Sequence, residues 1–195
     1  RLRDNNCDVL IDVGANKGDF SDDFLKNFKK IFLIEPNPNL KDQLEDRFKN
    51  NTNIKIFNFG INNKNSIKKL YISDDTGSTL SSIKKQNKIL KKNLKKTDII
   101  SVEDIKFYRL DKLLKKNIKL NETIFLKTDT QGNDLEVLKS LGIYLKKVKY
   151  IKSEMSIIPL YRSQDSHWKI VEFMKKNNFE PIFFENGLRD NIGKM

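Results

Sequence analysis

The sequence predicts a doubly wound α/β fold, in which a mostly parallel sheet carries helices on both faces. The first observation is a series of short, continuously apolar segments of strand length, of which 9–13 and 31–34 are the clearest. The second is that helical patterns separate them, as in the stripe of Leu40, Leu44 and Phe48. Continuous apolar strands that alternate with amphipathic helices are typical of a parallel sheet buried on both faces.

The elements follow in order from this alternation. The predicted strands are 9–13, 31–34, 54–59, 123–127, 149–153 and 179–184. The predicted helices lie within 20–31, 38–48 (capped by Asn37), 135–141 (ended by Gly142) and 170–174.

A small strand and helix insertion interrupts the pattern around residues 67–110. Residues 67–73 and 99–110 alternate in character and predict shorter strands. Between them, 83–96 predicts a helix with a narrow apolar stripe and a crowd of lysines. We expect residues 78–98 to form a mobile, basic lid apart from the core, which would meet an anionic acceptor or a membrane surface. A solvated surface helix is the alternative.

Length and composition limit the possible classes of protein. At 195 residues the chain is expected to form a single domain, 1–195. Its start at Arg1 and a final strand pair that looks incomplete after Gly187 suggest truncation at one or both ends. The net charge of +12 comes mostly from lysine. A surface adapted to phosphate favours arginine, so nucleic acid is not the expected partner.

Cysteine usage and hydropathy predict the compartment. The single cysteine, Cys7, excludes an internal disulfide framework and a cysteine-based zinc site. No apolar run approaches the roughly 20 residues that span a membrane, and no signal peptide is visible. We therefore expect a cytoplasmic location, with peripheral membrane contact through 83–96 as a hypothesis.

A glycine turn follows the first predicted strand, in the segment Asp12-Val13-Gly14-Ala15-Asn16-Lys17-Gly18, and Glu35 ends the second strand. Glycines let the backbone approach a ligand without a Cβ in the way. An acidic residue about 20 positions further on suits the two hydroxyls of a ribose. The spacing is Gly-x-x-x-Gly, which differs from the dinucleotide fingerprint. Together with Asp12 at the start of the segment, this spacing resembles the first motif of S-adenosylmethionine-dependent methyltransferases.

Polar groups follow several predicted strands at corresponding positions: the turn after residue 13, Glu35, Asp129 and Glu154. Ligands bind beyond the carboxyl ends of the strands in such a sheet, so these groups are expected to share one cleft. A single acidic residue after a strand is more often a helix cap or a solvent-exposed strand end. The prediction of a shared cleft therefore rests on the whole series. The single histidine, His167, suits proton transfer near neutral pH, although a histidine in a polar loop more often faces solvent.

Four segments taken in order resemble the motifs of the FkbM-type methyltransferase family. They are 13–18, Ser78-Thr79-Leu80, Leu110-Asp111-Lys112-Leu113 and 126–138, and the resemblance runs from about residue 9 to 185. The first is shared by many methyltransferases, whereas the part around Asp129-Thr130-Gln131-Gly132 is more specific to this family. The resemblance implies a Rossmann-like, seven-stranded sheet of the class I methyltransferase type. It also implies S-adenosyl-L-methionine as cofactor and O-methylation, commonly of a sugar or polyketide hydroxyl.

The resemblance also implies roles for individual residues. The cofactor-binding set would be Asp12, Gly14, Asn16, Gly18, Glu35, Asn58, Gly60 and Asp129. The turn would approach the methionine part, Glu35 would hold the ribose, and 58–61 would flank the adenine. The chain departs from the family at Asp134, where Glu is usual, and at Asn133, where Ala is frequent.

The expected chemistry needs help for a weak nucleophile, because a protonated sugar hydroxyl reacts poorly without a base or a metal. We expect Asp129 to lie closest to the chemistry, with Glu154 as its helper and His167 as a third catalytic candidate. Asp129 and Glu154 could share a divalent ion through their oxygens, or divide the tasks of base and acceptor clamp. The sequence leaves the metal undecided.

The preferred function is O-methylation of a glycan or related small hydroxylated acceptor. One alternative is a nucleic-acid methyltransferase that modifies the ribose 2′-hydroxyl. Base methylation is disfavoured, because Asp129-Thr130-Gln131-Gly132 replaces the Asp/Asn-Pro-Pro-aromatic motif and Cys7 precedes the first strand. A non-catalytic module that docks its basic helix on membrane or acidic glycan is the other alternative, and the intact cofactor turn counts against it.

Overall fold

A computed structural model describes residues 6–73, 80–93 and 98–185. The strands are β1 (Val9–Val13), β2 (Lys30–Ile34), β3 (Ile54–Phe57), β4 (Gly60–Ile61), β5 (Ser66–Ser73), β6 (Ile99–Tyr108), β7 (Ile124–Thr128) and β8 (Val148–Ser153). The helices are α1 (Asp19–Asp22), α2 (Lys41–Arg47), α3 (Lys88–Asn93), α4 (Leu110–Asn117), α5 (Asp134–Ser140) and α6 (His167–Lys176). Short 3₁₀ helices cover Pro38–Leu40 and Gly142–Lys147.

Five strands form a parallel sheet in the order β3-β2-β1-β7-β8. The chain winds from β1 towards β3 on one side and continues through β7 and β8 on the other. The strand order therefore reverses between β1 and β7, and the crevice beyond their carboxyl ends is the expected ligand site. The predicted fold class is confirmed.

Each face of this sheet buries its own core, because successive side chains of a strand point to opposite sides. The first core contains Val9, Ile11, Val13, Leu110, Leu114, Leu135, Leu138 and Ile170, which joins the sheet to α4, α5 and α6. The second contains Leu10, Ile31, Leu33, Phe28, Leu44 and Phe48, which covers the opposite face with α2 and the segment after α1. Complete burial of each large aliphatic side chain contributes about 1.5–3 kcal/mol.

The predicted insertion forms a second sheet in the order β4-β6-β5. Strands β5 and β6 are antiparallel, and β4 pairs with β6 in parallel. Residues 80–93, here called the cap, follow β5 after a gap in the described chain. Ser82 pairs with Tyr71 of β5, so the cap begins as an extended segment on the edge of this sheet. Its helix starts only at Lys88, later than the predicted residue 83.

Three further expectations need correction. The helix predicted within 20–31 ends at Asp22, because the chain must turn to reach β2, and Phe24 and Phe28 stay buried in tighter turns. The strand predicted at 179–184 is absent from the described residues: 180–185 are exposed and have no neighbouring strand to complete their backbone hydrogen bonds. The described part of the sheet thus has five parallel strands where the resemblance implied seven.

Within the described ranges, no helix is long and apolar enough to cross a membrane.

The turn after β1 packs directly on the end of β7. Gly14 has a φ of +78° and donates its N–H to the carbonyl of Ile34 at 2.9 Å. A Cβ at this position would overlap the carbonyl oxygen of Asp129. The close approach of two backbone segments therefore requires a glycine here, and the expected approach to a ligand stays a prediction.

We expect Gly14→Ala to destabilise the chain more than Gly142→Ala. Both glycines have a positive φ, +78° and +53°, and an alanine there costs about 1–2 kcal/mol from the backbone alone. Only at Gly14 does the added methyl also overlap backbone; near Gly142 the closest atom is a side-chain oxygen of Asp111 at 3.0 Å. Urea unfolding of both variants measures the difference, and equal losses would contradict this account.

Candidate active site

A cavity of about 310 Å³ lies over the carboxyl ends of the central strands. The turn after β1, Glu35 after β2 and residues 129–131 after β7 line it. Ile61, Leu70 and Phe107 form an apolar wall, and residues 81–83 of the cap close another side. The cavity is of the size that holds small ligands, with an apolar wall and a few convergent polar groups.

Glu35 is held at the rim of this cavity by backbone hydrogen bonds. Its Oε2 accepts from the N–H of Asn16 and its Oε1 from the N–H of Asn37, each at 2.8 Å. Asn58 donates its side-chain N–H to the carbonyl of Glu35 at 2.8 Å and so shapes the turn after β2. Glu35 is only 7% exposed, and burial raises the pKa of its carboxyl to about 7 although both backbone donors lower it.

Lys127 is the buried cation of the site. Its ammonium donates to the carbonyl of Gly14 at 2.7 Å and lies 3.0 Å from Oδ1 of Asp12 and 3.8 Å from Oδ2 of Asp129. Burial acts to lower the pKa of Lys127, but these two carboxylates outweigh it and raise the net value. Asp12 also accepts from the hydroxyl of Ser21 at 2.7 Å. Burial raises the pKa of Asp12, and Lys127 opposes that shift.

Asp129 and Glu154 come together at the end of β7 and β8, as predicted from their positions. The side-chain N–H₂ of Gln131 donates to Oδ1 of Asp129 at 2.9 Å and to Oε2 of Glu154 at 3.0 Å. Asp129 lines the cavity and its side chain is 43% exposed, whereas Glu154 lies behind it. Burial, followed by the nearby Asp129 and Asp134, raises the pKa of Glu154. Glu154 therefore keeps its proton more readily than an ordinary glutamate.

The Gln131 amide donates to both carboxyl groups, and a metal shared by them stays a hypothesis. In the part of the chain that the structure describes, no group of three or more histidine, cysteine or carboxylate side chains is placed to hold a metal ion.

The cap is attached more firmly than a separate lid would be. Leu90 is fully buried in a small cluster with Leu80, Leu160 and Tyr161. This cluster is separate from the two cores of the sheet, so the expectation of a lid apart from the core stays a prediction, although a buried leucine anchors its described part. Its mobility and its membrane contact stay predictions. Ser78, Thr79 and residues 94–97 lie outside the described residues.

The structure separates the predicted site residues into two groups. Those that line the cavity are Gly14, Asn16, Glu35, Gly60 and Asp129; those that do not are Asp12, Gly18, Asn58, Glu154 and His167. Asp12 lies beneath the cavity as the partner of Lys127. A Cβ on Gly18, whose φ is +84°, would come within 2.5 Å of the Phe48 ring, so this glycine serves the packing of α2. The binding roles of all these residues stay predictions. The positions of Asp12 and Gly18 favour a role in supporting the cavity.

His167 is not brought to the carboxylate pair. It begins α6, and its ring centroid lies 4.7 Å from that of Trp168 with the two planes tilted by 41°. Its catalytic role was predicted from residue type alone, and the cavity lining gives that prediction no support.

Residues 12–181, which are most of the chain, match the family model described as the Methyltransferase FkbM domain. The chain belongs to this family. The resemblance seen in the sequence motifs is thereby confirmed.

One solved structure is similar to this FkbM-domain chain, the methyltransferase FkbM from Methylobacillus flagellatus KT. The two are 16% identical with a TM-score of 0.44, and the similarity covers 69% of this chain and 29% of that one. The chain therefore spans less than a third of the length of that protein. No curated protein matches the chain.

Sequence reasoning about this FkbM domain missed Lys127 and Gln131, which both line the cavity. The signal for Lys127 was present: a lysine inside a strand of otherwise apolar or small residues, all five of them buried, must find an anionic partner. Gln131 lies in the family-specific segment, but its two carboxylate partners come from different strand ends. Their proximity is visible only in three dimensions.

We expect Lys127→Met in this FkbM domain to cost about 3–5 kcal/mol of unfolding free energy, because it leaves the buried Asp12 carboxylate without its cation. Adding Asp12→Asn to that variant removes the unpaired charge and restores part of the loss. Urea unfolding of the wild type, both single variants and the double variant measures this coupling. Strictly additive losses would show that the ion pair is not the cause.

Proposed function

We propose that this chain is an S-adenosylmethionine-dependent O-methyltransferase that modifies a hydroxyl of a glycan or a related small hydroxylated compound. The observation that carries the cofactor proposal is the Glu35 carboxylate at the cavity rim, beside the turn after β1. A carboxylate at the end of the second strand suits the two ribose hydroxyls of a nucleoside. Family membership supports methyl transfer as the reaction.

The charge of the cavity supports a cationic cofactor over an anionic one. Asp12 and Asp129 share the single ammonium of Lys127, and Lys152 pairs with Glu185. The lining therefore has excess negative charge from Asp129 and, when it is ionised, from Glu35. Such a site favours the sulfonium and ammonium groups of S-adenosylmethionine and disfavours the pyrophosphate of a dinucleotide.

The residues of the chain divide the work as follows. When bound, the cofactor supplies a methyl group already activated by its sulfonium. The turn after β1 and Glu35 hold the nucleoside and amino-acid parts, and Ile61 and Phe107 offer an apolar surface to the base. Asp129 lies where an acceptor hydroxyl can reach it and takes the proton as that oxygen is methylated. Orienting the two reactants can contribute about 7–11 kcal/mol to the lowering of the barrier.

The acceptor proposal rests on the family resemblance and on the Asp129 carboxylate at the acceptor side. Asp129 would repel a phosphate backbone, whereas it accepts hydrogen bonds from the hydroxyls of a sugar. The exposed lysines of the cap, Lys85, Lys88 and Lys91, allow an acceptor that carries some negative charge. Ribose methylation of RNA is the competing outcome, and transfer of labelled methyl into separated glycan, RNA and lipid fractions of source cells distinguishes the two.

We expect cofactor affinity to rise about tenfold between pH 6 and pH 8. The pKa of Glu35 is about 7, and the ionised form accepts ribose hydroxyls better, so binding strengthens as the carboxyl loses its proton with rising pH. Glu35→Gln should bind more weakly and lose this part of the pH dependence. Calorimetry with S-adenosylmethionine measures both proteins, and the variant corrects for titration of the cofactor itself. A parallel pH dependence in the two proteins would remove Glu35 from ribose binding.

We expect Asp129→Asn to fold and bind cofactor but to lose methyl transfer by about 10²–10⁴-fold, because the amide cannot take the proton of the acceptor. Glu154→Gln should lose less, since Glu154 lies behind Asp129. Labelled-methyl transfer into the acceptor fraction measures both variants, with cofactor affinity as the control. Near wild-type transfer by Asp129→Asn would exclude it as the base, and sensitivity of the wild type to chelator would indicate a metal instead.

A further inference from the structure

The side chain of Gln131 joins three groups that come from three separate segments. Its N–H₂ donates to Asp129 at 2.9 Å and to Glu154 at 3.0 Å, and its Oε1 accepts from the hydroxyl of Tyr161 at 2.8 Å. The carboxylate of Asp129 fixes the orientation of the amide, because it needs the donor end and so leaves Oε1 for the hydroxyl of Tyr161.

The backbone of Gln131 is held from the side of the cap. Its φ is +52°, a left-handed conformation that costs a residue with a side chain about 1–2 kcal/mol. Its carbonyl accepts from the hydroxyl of Ser82 at 2.7 Å. Contacts on both backbone and side chain thus maintain a conformation that the chain would not adopt by itself.

Tyr161 in turn depends on the cap for its position. Its loop, residues 159–164, exchanges backbone hydrogen bonds with the cap: Asn87 donates to Leu160 at 3.0 Å, and Arg162 donates to Lys85 at 2.8 Å. The Tyr161 hydroxyl also lies 3.2 Å from the carbonyl of Leu80, and its ring belongs to the buried cluster around Leu90. The cap and the loop therefore move as one body or not at all.

We propose that Gln131 is a positioning residue that couples the docking of the cap to the arrangement of Asp129 and Glu154. With the cap docked, Tyr161 fixes the amide and the amide directs both carboxyl groups. If the cap lifts, Tyr161 leaves, the amide is free to rotate, and the pair loses its shared donor. The role in methyl transfer rests on the proposed function: the base is set in place only when the wall of the cavity is closed.

The direction of the electrostatic consequence follows from the groups around Glu154. Asp129 and Asp134 raise the pKa of Glu154, Lys127 lowers it, and burial is the largest influence. An N–H donor stabilises the ionised carboxyl, so removing the Gln131 donor raises the pKa further. A change in the cap that reaches Gln131 must therefore appear in the titration of Glu154.

Two conservative variants test the coupling, with a matched control. Tyr161→Phe removes only the hydroxyl and keeps the ring in its cluster. Gln131→Asn keeps an amide at a residue type that tolerates positive φ, but it is one methylene too short to bridge the two carboxyl groups. Tyr150→Phe makes the same change as the first variant at a partly exposed ring of β8, away from the cap, and should leave every readout unchanged.

Two readouts are made on the full chain, without cofactor or acceptor. The first is the titration of Glu154, followed by carboxyl carbon-13 NMR and assigned with Glu154→Gln. The second is hydrogen exchange of the Tyr71 and Ser82 amides, which pair the cap with β5 and therefore report on docking of the cap. We expect each variant to raise the pKa of Glu154 by about one unit and to speed the exchange about fivefold. The decisive result for each variant is its effect on the readout at the other end of the coupling, because thermodynamic coupling is reciprocal.

Tyr161→Phe must change the titration of Glu154, and Gln131→Asn must change exchange in the cap. If Gln131 had a purely structural role, Gln131→Asn would change only the titration of Glu154 and Tyr161→Phe would change only the exchange in the cap. The absence of either of the two required effects overturns the proposal. Failure of the proposed function is distinguishable, since it would appear as no binding of S-adenosylmethionine by the wild-type chain in calorimetry, whatever the titration and exchange show.

Discussion

One buried ammonium group joins the two strands on which the site depends. Lys127 of β7 contacts Asp12 of β1 and the carbonyl of Gly14, and it lies near Asp129. Removing one member would leave a buried charge uncompensated, a situation that costs several kcal/mol. The turn after β1 and the carboxylate that ends β7 therefore stay side by side. The neighbouring strand ends continue this alignment, since the N–H of Asp129 donates to Val13 and the N–H of Glu154 donates to Thr128, each at 3.0 Å.

The same interaction determines the chemical character of the cavity. A lysine that is already committed to two carboxylates contributes little free positive charge, so Asp129 and Glu35 dominate the lining. Their surroundings make them different. Glu35 accepts two backbone N–H groups and is nearly buried, whereas Asp129 is partly exposed towards the space that an acceptor would enter. Glu35 thus suits hydrogen bonds to a ligand held in one position, and Asp129 suits the uptake of a proton from an acceptor hydroxyl.

The insertion between β4 and α4 adds what the parallel sheet lacks, a wall over the open edge of the crevice. Ser82 binds the carbonyl of Gln131, and the buried Leu90 anchors the cap to the loop after β8. Residues from the insertion, from β7 and from the segment after β8 meet at the Gln131 side chain. A single amide of this kind can link the closure of a cavity to its chemistry, because it uses both its donor and its acceptor ends at once.

The sequence by itself determined the sheet, the two faces of helices and the edge at which the cavity lies. Strands 9–13 and 31–34 were predicted within a residue of their observed bounds, because continuous burial leaves a continuous apolar run. Glu35 and Asp129 were expected at the cavity, and Glu154 close to them, because the carboxyl ends of parallel strands share one edge. Only the tertiary structure decided that Gly18 packs against the Phe48 ring, that 179–184 forms no strand, and that Lys127 and Gln131 line the cavity. Those outcomes depend on which distant segments become neighbours, and no pattern along the chain contains that information.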